Sequence, residues 1–387
     1  MTKNKYFLII LMIFLLFIIP ATSANDNTTD IIEIDNGDSI SDDNLLNENV
    51  GNTENILSDA SPHKELTDDD LKNDSIIYLE NGEYDYKQEY KHRNITFIGE
   101  DTSKTIINGN ESTIHITEFL SFSNLTLKNI KIQAPENLTA TNVIFKDFRY
   151  NESERYQTAL IYNDAESNIN LVNCTFSNIA ILDKGIMELD SGTLNMKDSI
   201  IINNENVLLD TYSSNGIIST YASILNIDNC EFIYNKIGGI GGVLSCESST
   251  ITVTNSTFVN TTSRSSPCLR ASSSNVVIDL CKFINNSGTT NFGSVNINKG
   301  TFYISNCEFI NNSAKTSGGS IYHSSSSLSD ITIENCTFYD SKAKLEDPFI
   351  PVVETLKSTV VNFIIPKPKP AVQYHLKIEF GVKTHFL

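Results

Sequence analysis

The chain has 387 residues, and 47 acidic side chains against 28 basic ones give it a formal net charge of −19 at pH 7. Nucleic-acid-binding surfaces need a basic stripe, so this balance argues against a nucleic-acid partner. The length allows one large domain with tails.

Residues 1–24 predict a secretory signal peptide. Lys3 and Lys5 precede an apolar run from Phe7 to Ile19, and Thr22-Ser23-Ala24 forms a small-residue cleavage site. The apolar run is shorter than the roughly 20 residues that a membrane-spanning helix needs. We therefore expect a secreted or cell-surface protein, which touches a membrane only where this segment stays uncleaved.

Residues 25–74 form a strongly acidic segment. Fifteen Asp and Glu residues stand there against two Lys, and aromatic residues are scarce. Low hydrophobicity combined with high net charge predicts disorder. We expect the folded domain to begin after this segment, at residue 75.

A repeat between residues 169 and 338 predicts the fold. Its most regular position, the marker, is occupied by Cys174, Ser199, Cys230, Ser256, Cys281, Cys307 and Cys336. Successive markers are 25 to 31 residues apart, and such a period indicates a solenoid. Apolar residues stand five and three positions before each marker and two positions after it. This spacing predicts two strands with one buried face, which we call the first and second arms, joined by a corner at the marker.

The residue before each marker predicts the geometry of that corner. Asn and Asp adopt the left-handed conformation that a tight corner needs, and stacked side chains can hydrogen-bond from coil to coil. The predicted corner ladder consists of Asn173, Asp198, Asn229, Asn255, Asn306 and Asn335. Leu280 interrupts this series, which predicts a locally different corner.

A third arm follows the glycine-rich stretches, as in Gly241-Gly242-Val243-Leu244. Three short strands in coils of about 25 residues predict an all-β, right-handed parallel β-helix over residues 75–347. Near its start, Asn124-Leu125-Thr126 and Asn137-Leu138-Thr139 are only 13 residues apart, too short a distance for a coil. Residues 348–387, with Pro366-Lys367-Pro368-Lys369-Pro370, predict a stiff linker and a short tail.

Two motifs carry a resemblance to known families. The Phe-x-x-Asn pairs at Phe232, Phe283 and Phe309, together with Gly-Gly-x-aliphatic, resemble the polymorphic outer-membrane-protein repeat of bacterial surface proteins. The opening around 94–110 is similar to the adhesin-like β-helix proteins of methanogenic archaea. The resemblance covers about residues 75–345 and implies a β-helix at the cell surface.

The seven cysteines predict buried thiols. Five of them occupy the inward-facing marker position, where stacked Cβ atoms are too far apart for an undistorted disulfide. In an exported chain, Asn-x-Ser/Thr sequences also predict glycosylation. The candidate acceptors are Asn94, Asn110, Asn124, Asn137, Asn151, Asn260 and Asn311.

The sequence names no catalytic residue and no cofactor. Asp228 and Asp279 are predicted to face outward two coils apart, about 9.6 Å, but surface carboxylates at that distance are usually just solvated. Lys282 and Glu308 predict an ion pair between adjacent coils. The histidines show no metal-ligand spacing, and no phosphate-binding motif is present.

The resemblance implies a non-enzymatic, adhesin-like protein that binds extracellular glycans or surface proteins. Two alternatives stay open, a carbohydrate-active β-helix enzyme (lyase, hydrolase or epimerase) and a structural envelope component without a dedicated ligand. An enzyme should carry a groove with at least three converging ionisable groups, whereas an adhesin should carry flat ladders of Thr, Ser and Asn.

Overall fold

The structure is a computed structural model, which describes residues 53–57, 63–67, 70–87, 92–150, 159–163, 166–207, 215–316, 318–323, 329–343 and 361–364. The predicted signal peptide, the acidic segment before residue 53, Asn151 and the Pro-Lys linker lie outside these residues.

Parallel strands of successive coils pair in register, and the fold is a right-handed parallel β-helix, as predicted. First-arm strands are Thr53–Leu57, Ser75–Leu79, His92–Gly99, Asn168–Val172, Thr193–Lys197, Ile224–Asp228, Thr250–Thr254 and Ser329–Glu334. Second-arm strands are His63–Leu66, Gly82–Tyr86, Thr105–Asn108, Thr175–Ser177, Ile200–Ile202, Glu231–Ile233, Thr257–Val259, Lys282–Ile284, Glu308–Ile310, Cys336–Tyr339 and Val361–Ile364. Third-arm strands are Lys131–Gln133, Ile161–Tyr162, Met187–Asp190, Ile218–Tyr221, Leu244–Glu247 and Ile321–His323.

Four long strands run through a corner and serve two or three arms: Thr113–Lys128, Asn137–Lys146, Leu269–Asp279 and Val295–Ser305. A fourth arm of very short strands, not foreseen from the sequence, lies between the second and third arms. Its strands are Ala180–Leu182, Glu205–Val207, Lys236–Ile237, Thr262–Ser263, Ser287–Gly288, Ser313–Ala314 and Lys342–Ala343, and they form a separate sheet in the described residues.

The coil that contains Asn124 is unusually short. Leu120 pairs with Leu138, and the Asn142 side chain donates to Asn124 Oδ1 at 3.0 Å across a separation of 18 residues. The partner of Asn124 is therefore Asn142, and Asn137 belongs to a different position of the coil. Short connections make this coil smaller than the repeats that follow.

Two strands outside the predicted domain, residues 75–347, pair with strands of the solenoid. Thr53–Leu57 pairs with Ser75–Leu79, so strands of the solenoid begin inside the segment predicted to be disordered. Val361–Ile364 adds a second-arm strand next to Cys336–Tyr339, in the segment predicted to be a linker and tail. Pairing with a neighbouring strand stabilises Thr53–Leu57, although the acidic composition of its segment argues against order.

The core consists of aligned files of apolar side chains. In the second arm, Phe232, Phe258, Phe283 and Phe309 are at most 1% exposed and stack with ring centroids 4.6 to 5.0 Å apart. Each ring buries a large apolar area against its neighbours in adjacent coils. This file fixes the register, because a slip by one residue would turn every ring outward.

The marker side chains are all buried, and each one also hydrogen-bonds the corner. The Cys230 thiol donates to the Asp228 carbonyl at 3.3 Å, and Ser256 Oγ accepts the Cys230 amide from the preceding coil at 3.0 Å. All seven cysteines are free. Burial raises the pKa of the Cys174 and Cys230 thiols to about 12, so both stay protonated at neutral pH.

A second file of polar side chains lies inside the coil, at the asparagine of the Phe-x-x-Asn pairs and at Asn204, which takes the same place after Ile201. Asn204, Asn235, Asn286 and Asn312 are at most 1% exposed. Asn286 donates to the Phe258 carbonyl at 3.0 Å and accepts the Thr261 amide at 3.0 Å. These side chains satisfy backbone groups that the turn into the fourth arm would otherwise bury without partners.

The corner before the marker is left-handed throughout, with φ between 49° and 52° at the predicted Asn and Asp positions. Leu280 has φ 55° and is 53% exposed, so the prediction of a different corner there is wrong: the neighbouring coils impose the same backbone on a residue that disfavours it. A left-handed conformation costs an ordinary residue about 1–2 kcal/mol.

Leu280→Asn is expected to stabilise the protein by about 1 kcal/mol, because Asn tolerates this backbone and the Leu side chain is half-exposed. The midpoint of urea unfolding should rise without a change in slope. Asn255→Leu, the reverse exchange in the adjacent coil, should lower the midpoint. An unchanged or lower midpoint for Leu280→Asn would show that packing of the leucine outweighs its backbone strain.

Candidate functional site

A depression lies on the outside of the β-helix, where the second arm turns into the fourth. It is a cavity of about 360 Å³. Three of the seven residues that line it are ionisable, and the full set is Asp147, Arg149, Asn178, Ile179, Ala180, Asn203 and Glu205. We call it the corner groove.

The small side chain of Ala180 creates the groove. Arg149 forms a parallel bridge with Ala180, and Ala180 pairs with Glu205, so the three occupy one position in successive coils. Ala180 is only 8% exposed and forms the floor between two long side chains. Arg149 and Glu205 are separated by two coils, about 9.6 Å along the solenoid axis.

The rim of the groove follows the corner between the second and fourth arms. Asp147, Asn178 and Asn203 all adopt the left-handed conformation, with φ of 57°, 56° and 55°, and all three are exposed. The corner backbone therefore presents one carboxylate and two carboxamides beside the fourth-arm side chains. Such polar groups can hydrogen-bond the hydroxyls of a sugar.

Charges in the groove are balanced. Glu205 forms an ion pair with Lys236 of the next coil, with side chains 39% and 65% exposed. Together with Asp147 and Arg149, this gives two negative and two positive groups in a chain whose net charge is −19. The groove therefore does not repel an anionic ligand by its own charge. The guanidinium can bind a carboxylate through two parallel hydrogen bonds, and the two carboxylates can exchange protons.

Asp228 and Asp279 lie away from this groove and hold the corner of the first arm. Asp228 Oδ1 accepts hydrogen bonds from Thr254 and Asn255, both at 2.8 Å. The bonds from Asn255 and then Thr254 hold the pKa of Asp228 below its ordinary value. Asp279 Oδ1 accepts from Ser305 and Asn306 in the same way. Both carboxylates are engaged in the corner ladder.

The remaining corner asparagines extend this ladder. The Asn173 amide donates to Asn142 at 2.7 Å, Asn229 to Asp198 at 2.6 Å, and Asn335 to Asn306 at 3.3 Å. The predicted ion pair is also present, with Lys282 Nζ 3.5 Å from Glu308 Oε2.

The predicted glycosylation sites differ in access. Asn110, Asn137 and Asn311 are exposed, whereas Asn94, Asn124 and Asn260 are half-buried. The Asn311 amide donates to Asn285 Oδ1 at 2.8 Å, a bond that a glycan on the same nitrogen would disturb. Glycosylation of the described asparagines remains a prediction.

The sequence contains a signal for the groove that the repeat alignment did not use. Ala180 and Glu205 stand six residues after markers Cys174 and Ser199, and Arg149 stands six residues after Val143. Val143 is fully buried and takes the marker place of its coil. Because it is neither Cys nor Ser, that coil escaped the repeat. Extending the aligned columns to this sixth position would have brought the three residues together.

The described residues were also compared with the patterns of metal sites and of membrane-spanning helices. No group of three or more His, Cys, Asp or Glu side chains there is arranged to hold a metal ion. In the same residues, no helix has the length and apolar character needed to cross a membrane.

Comparison with solved structures finds β-helical enzymes that act on polysaccharides. A PL6 alginate lyase complexed with a trisaccharide is 12% identical, with 82% of this chain and 91% of that chain covered and a TM-score of 0.34. The A-module of mannuronan C-5 epimerase AlgE4 from Azotobacter vinelandii is 12% identical over 74% and 91%, with a TM-score of 0.31. Alginate lyase AlyF-OU02 in complex with G6 is 12% identical over 85% and 91%, with a TM-score of 0.33. The likeness is one of fold.

A scan against protein-family models finds no match, and a search of curated proteins finds no relative. The similarity to the outer-membrane repeat and to the archaeal adhesin-like proteins therefore stays a resemblance.

The prediction of a non-enzymatic, adhesin-like protein is corrected by the comparison with solved structures. The proteins found to share the fold are named as lyases and epimerases, which agrees with the enzyme alternative rather than with the adhesin. The prediction failed because the repeats determine the β-helix, which hosts both classes, and the adhesive part came from resemblance alone.

Proposed function

We propose that this protein is a carbohydrate-active enzyme and that the corner groove is its active site. The observation that supports the proposal is the convergence of Asp147, Arg149 and Glu205 around the floor at Ala180. It meets the criterion of three converging ionisable groups set out from the sequence. A groove open along the surface suits a chain-like substrate better than an enclosed pocket would.

The preferred substrate class is a polysaccharide containing uronic acids. Arg149 would bind the sugar carboxylate and stabilise the negative charge that develops when the adjacent C–H bond loses its proton. Asp147 or Glu205 would take up that proton as general base. In a lyase, the electron pair then forms a C=C bond as the adjacent C–O bond breaks, and the leaving glycosidic oxygen takes up a proton from water. In an epimerase, water or the other carboxyl group returns a proton to the same carbon from the opposite face.

The charge balance of the groove supports this substrate class. A site with carboxylates alone would repel a polyuronate, whereas Arg149 and the ion-paired Lys236 offset Asp147 and Glu205. The cell-surface or secreted location also belongs to the proposal, supported by the signal-like segment 1–24. Mass spectrometry of the mature N-terminus, expected after Ala24, tests it.

The experiment is a screen of the full chain against uronic-acid polysaccharides and neutral glycans. A rise in near-ultraviolet absorbance from the new C=C bond identifies a lyase. A changed ratio of C-5 epimers by NMR, without chain cleavage, identifies an epimerase. Reducing ends released from neutral glycans alone would contradict the uronate assignment, and inactivity on every polysaccharide would contradict the enzyme.

A further inference from the structure

An aliphatic stripe runs along the outer face of the second arm. It occupies one outward position in five successive coils and consists of Ile202, Ile233, Val259, Ile284 and Ile310. All five side chains are half-buried, and Tyr339 follows them with 42% exposure. We call this set the outer stripe.

The neighbouring outward position of the same strands is mostly polar. It holds Glu231, Thr257, Lys282 and Glu308 over the same coils, after Ile200 in the first. Both positions have the same backbone and face the same side, so preference for β-branched residues in strands does not explain the contrast. An unbroken aliphatic file on a solvent-facing sheet indicates a covered surface.

The outer stripe is confined to one part of the second arm. Lys146 and Ser177 occupy the same position in the two preceding coils, so the aliphatic file begins at Ile202. At its other end, Tyr339 pairs with Ile364, in the last second-arm strand that the structure describes. The chain therefore leaves the described solenoid next to the stripe.

The residues that follow have the sequence pattern of a matching strand. After Pro366-Lys367-Pro368-Lys369-Pro370, apolar residues alternate with other residues at Val372, Tyr374, Leu376, Ile378, Phe380 and Val382. This alternation is typical of a strand with one apolar face. The residues between the apolar ones are Gln373, His375, Lys377, Glu379 and Gly381, which suits a solvent-facing side.

The segment from Val372 to Val382 is long enough to cover the outer stripe. The stripe from Ile202 to Ile310 spans four coil steps, about 19 Å. Val372 to Val382, extended, spans about 33 Å. The five linker residues add about 15 Å at 3.1 Å each, enough for the chain to pass the last coil and return over Tyr339.

We propose that residues 371–383 dock as an extended strand along the outer stripe of their own chain. The stripe is one side chain wide, so it offers far less than the roughly 800 Å² per partner that a stable protein complex buries. A strand tethered to its own chain can bind with a smaller buried area, because the linker gives it a high local concentration. Docking would cover the stripe and protect the end of the solenoid.

Cysteine cross-linking of the full chain tests the docking. Ile378→Cys is combined with Ile284→Cys, in a second variant with Ile233→Cys, and in the control with Thr252→Cys on the outer face of the first arm. The native thiols are buried, so they do not compete under mild oxidation. We expect intramolecular disulfides with stripe positions and at least ten times less with Thr252→Cys.

A second measurement covers the case in which cysteine variants perturb the tail. Leu376→Ser with Phe380→Ser should increase binding of a fluorescent apolar dye, whereas Gln373→Ser with Lys377→Ser should leave it unchanged. Equal cross-linking to Thr252→Cys, or equal dye binding in both double variants, would overturn the proposal. Cross-links formed only between molecules would assign the stripe to a second copy and overturn it as well.

Discussion

Glu205→Gln is expected to lower kcat/KM at least about 10²-fold on whichever uronate polymer the screen identifies, because a carboxamide cannot exchange the proton that general acid–base catalysis requires. The same loss is expected for Asp147→Asn if Asp147, rather than Glu205, is the base, and the larger loss identifies that residue. Initial rates over a range of substrate concentrations separate kcat from KM.

The matched control is Glu308→Gln. Glu308 is also a half-exposed carboxylate paired with a lysine of an adjacent coil, with 45% side-chain exposure against 39% for Glu205, but it lies outside the groove. Exposed pairs contribute about 0–1 kcal/mol, so neither exchange should unfold the protein. Full activity in both groove variants, or equal losses in Glu205→Gln and Glu308→Gln, would remove the groove from consideration as the active site.

Arg149→Lys distinguishes charge from geometry at the same site. Lysine keeps the positive charge but lacks the planar fork that binds a carboxylate through two hydrogen bonds. If Arg149 positions the sugar carboxylate, KM rises and kcat falls together. If Arg149 only supported the fold, neither KM nor kcat would change in Arg149→Lys.

The arms of the solenoid were predictable because their residues repeat with an interpretable period. Apolar residues at spacing two, Phe232 and its equivalents, and the corner asparagines specify strands and turns locally. The fourth arm was not predictable, since strands such as Lys236–Ile237 have two residues and no period. The first coils lack the Cys or Ser marker, and their order depends on pairing with the coil that follows.

The corner groove was harder to predict than the fold. It depends on one small residue, Ala180, between two long ones in adjacent coils, and on a coil whose marker place holds Val143. A single-residue contrast between coils carries no periodic signal. The carboxylates that the sequence did single out, Asp228 and Asp279, are bound into the corner ladder.

The asparagine of the Phe-x-x-Asn motif, one of the motifs on which the family resemblance rests, stabilises the fold by hydrogen-bonding buried backbone groups. Asn286→Ala is expected to destabilise the protein by about 2–6 kcal/mol, because it leaves the Thr261 amide and the Phe258 carbonyl buried without their partner, at about 1–3 kcal/mol each. The Asn312 carboxamide, which accepts from Asn286 at 3.1 Å, also loses a donor. Urea unfolding followed by circular dichroism measures the change.

Asn226→Ala is the matched control, since it removes the same group from a ladder on the outer face. The Asn226 amide is exposed and donates to Asn195 at 2.8 Å, so water replaces the lost bond and the cost should stay below about 1 kcal/mol.

Coils of a solenoid contact mainly their neighbours, so the Asn286→Ala effect should be local. Amide hydrogen exchange should accelerate first at Thr261 and its adjacent coils, and equal destabilisation by the two alanine variants would show that burial of the file contributes nothing.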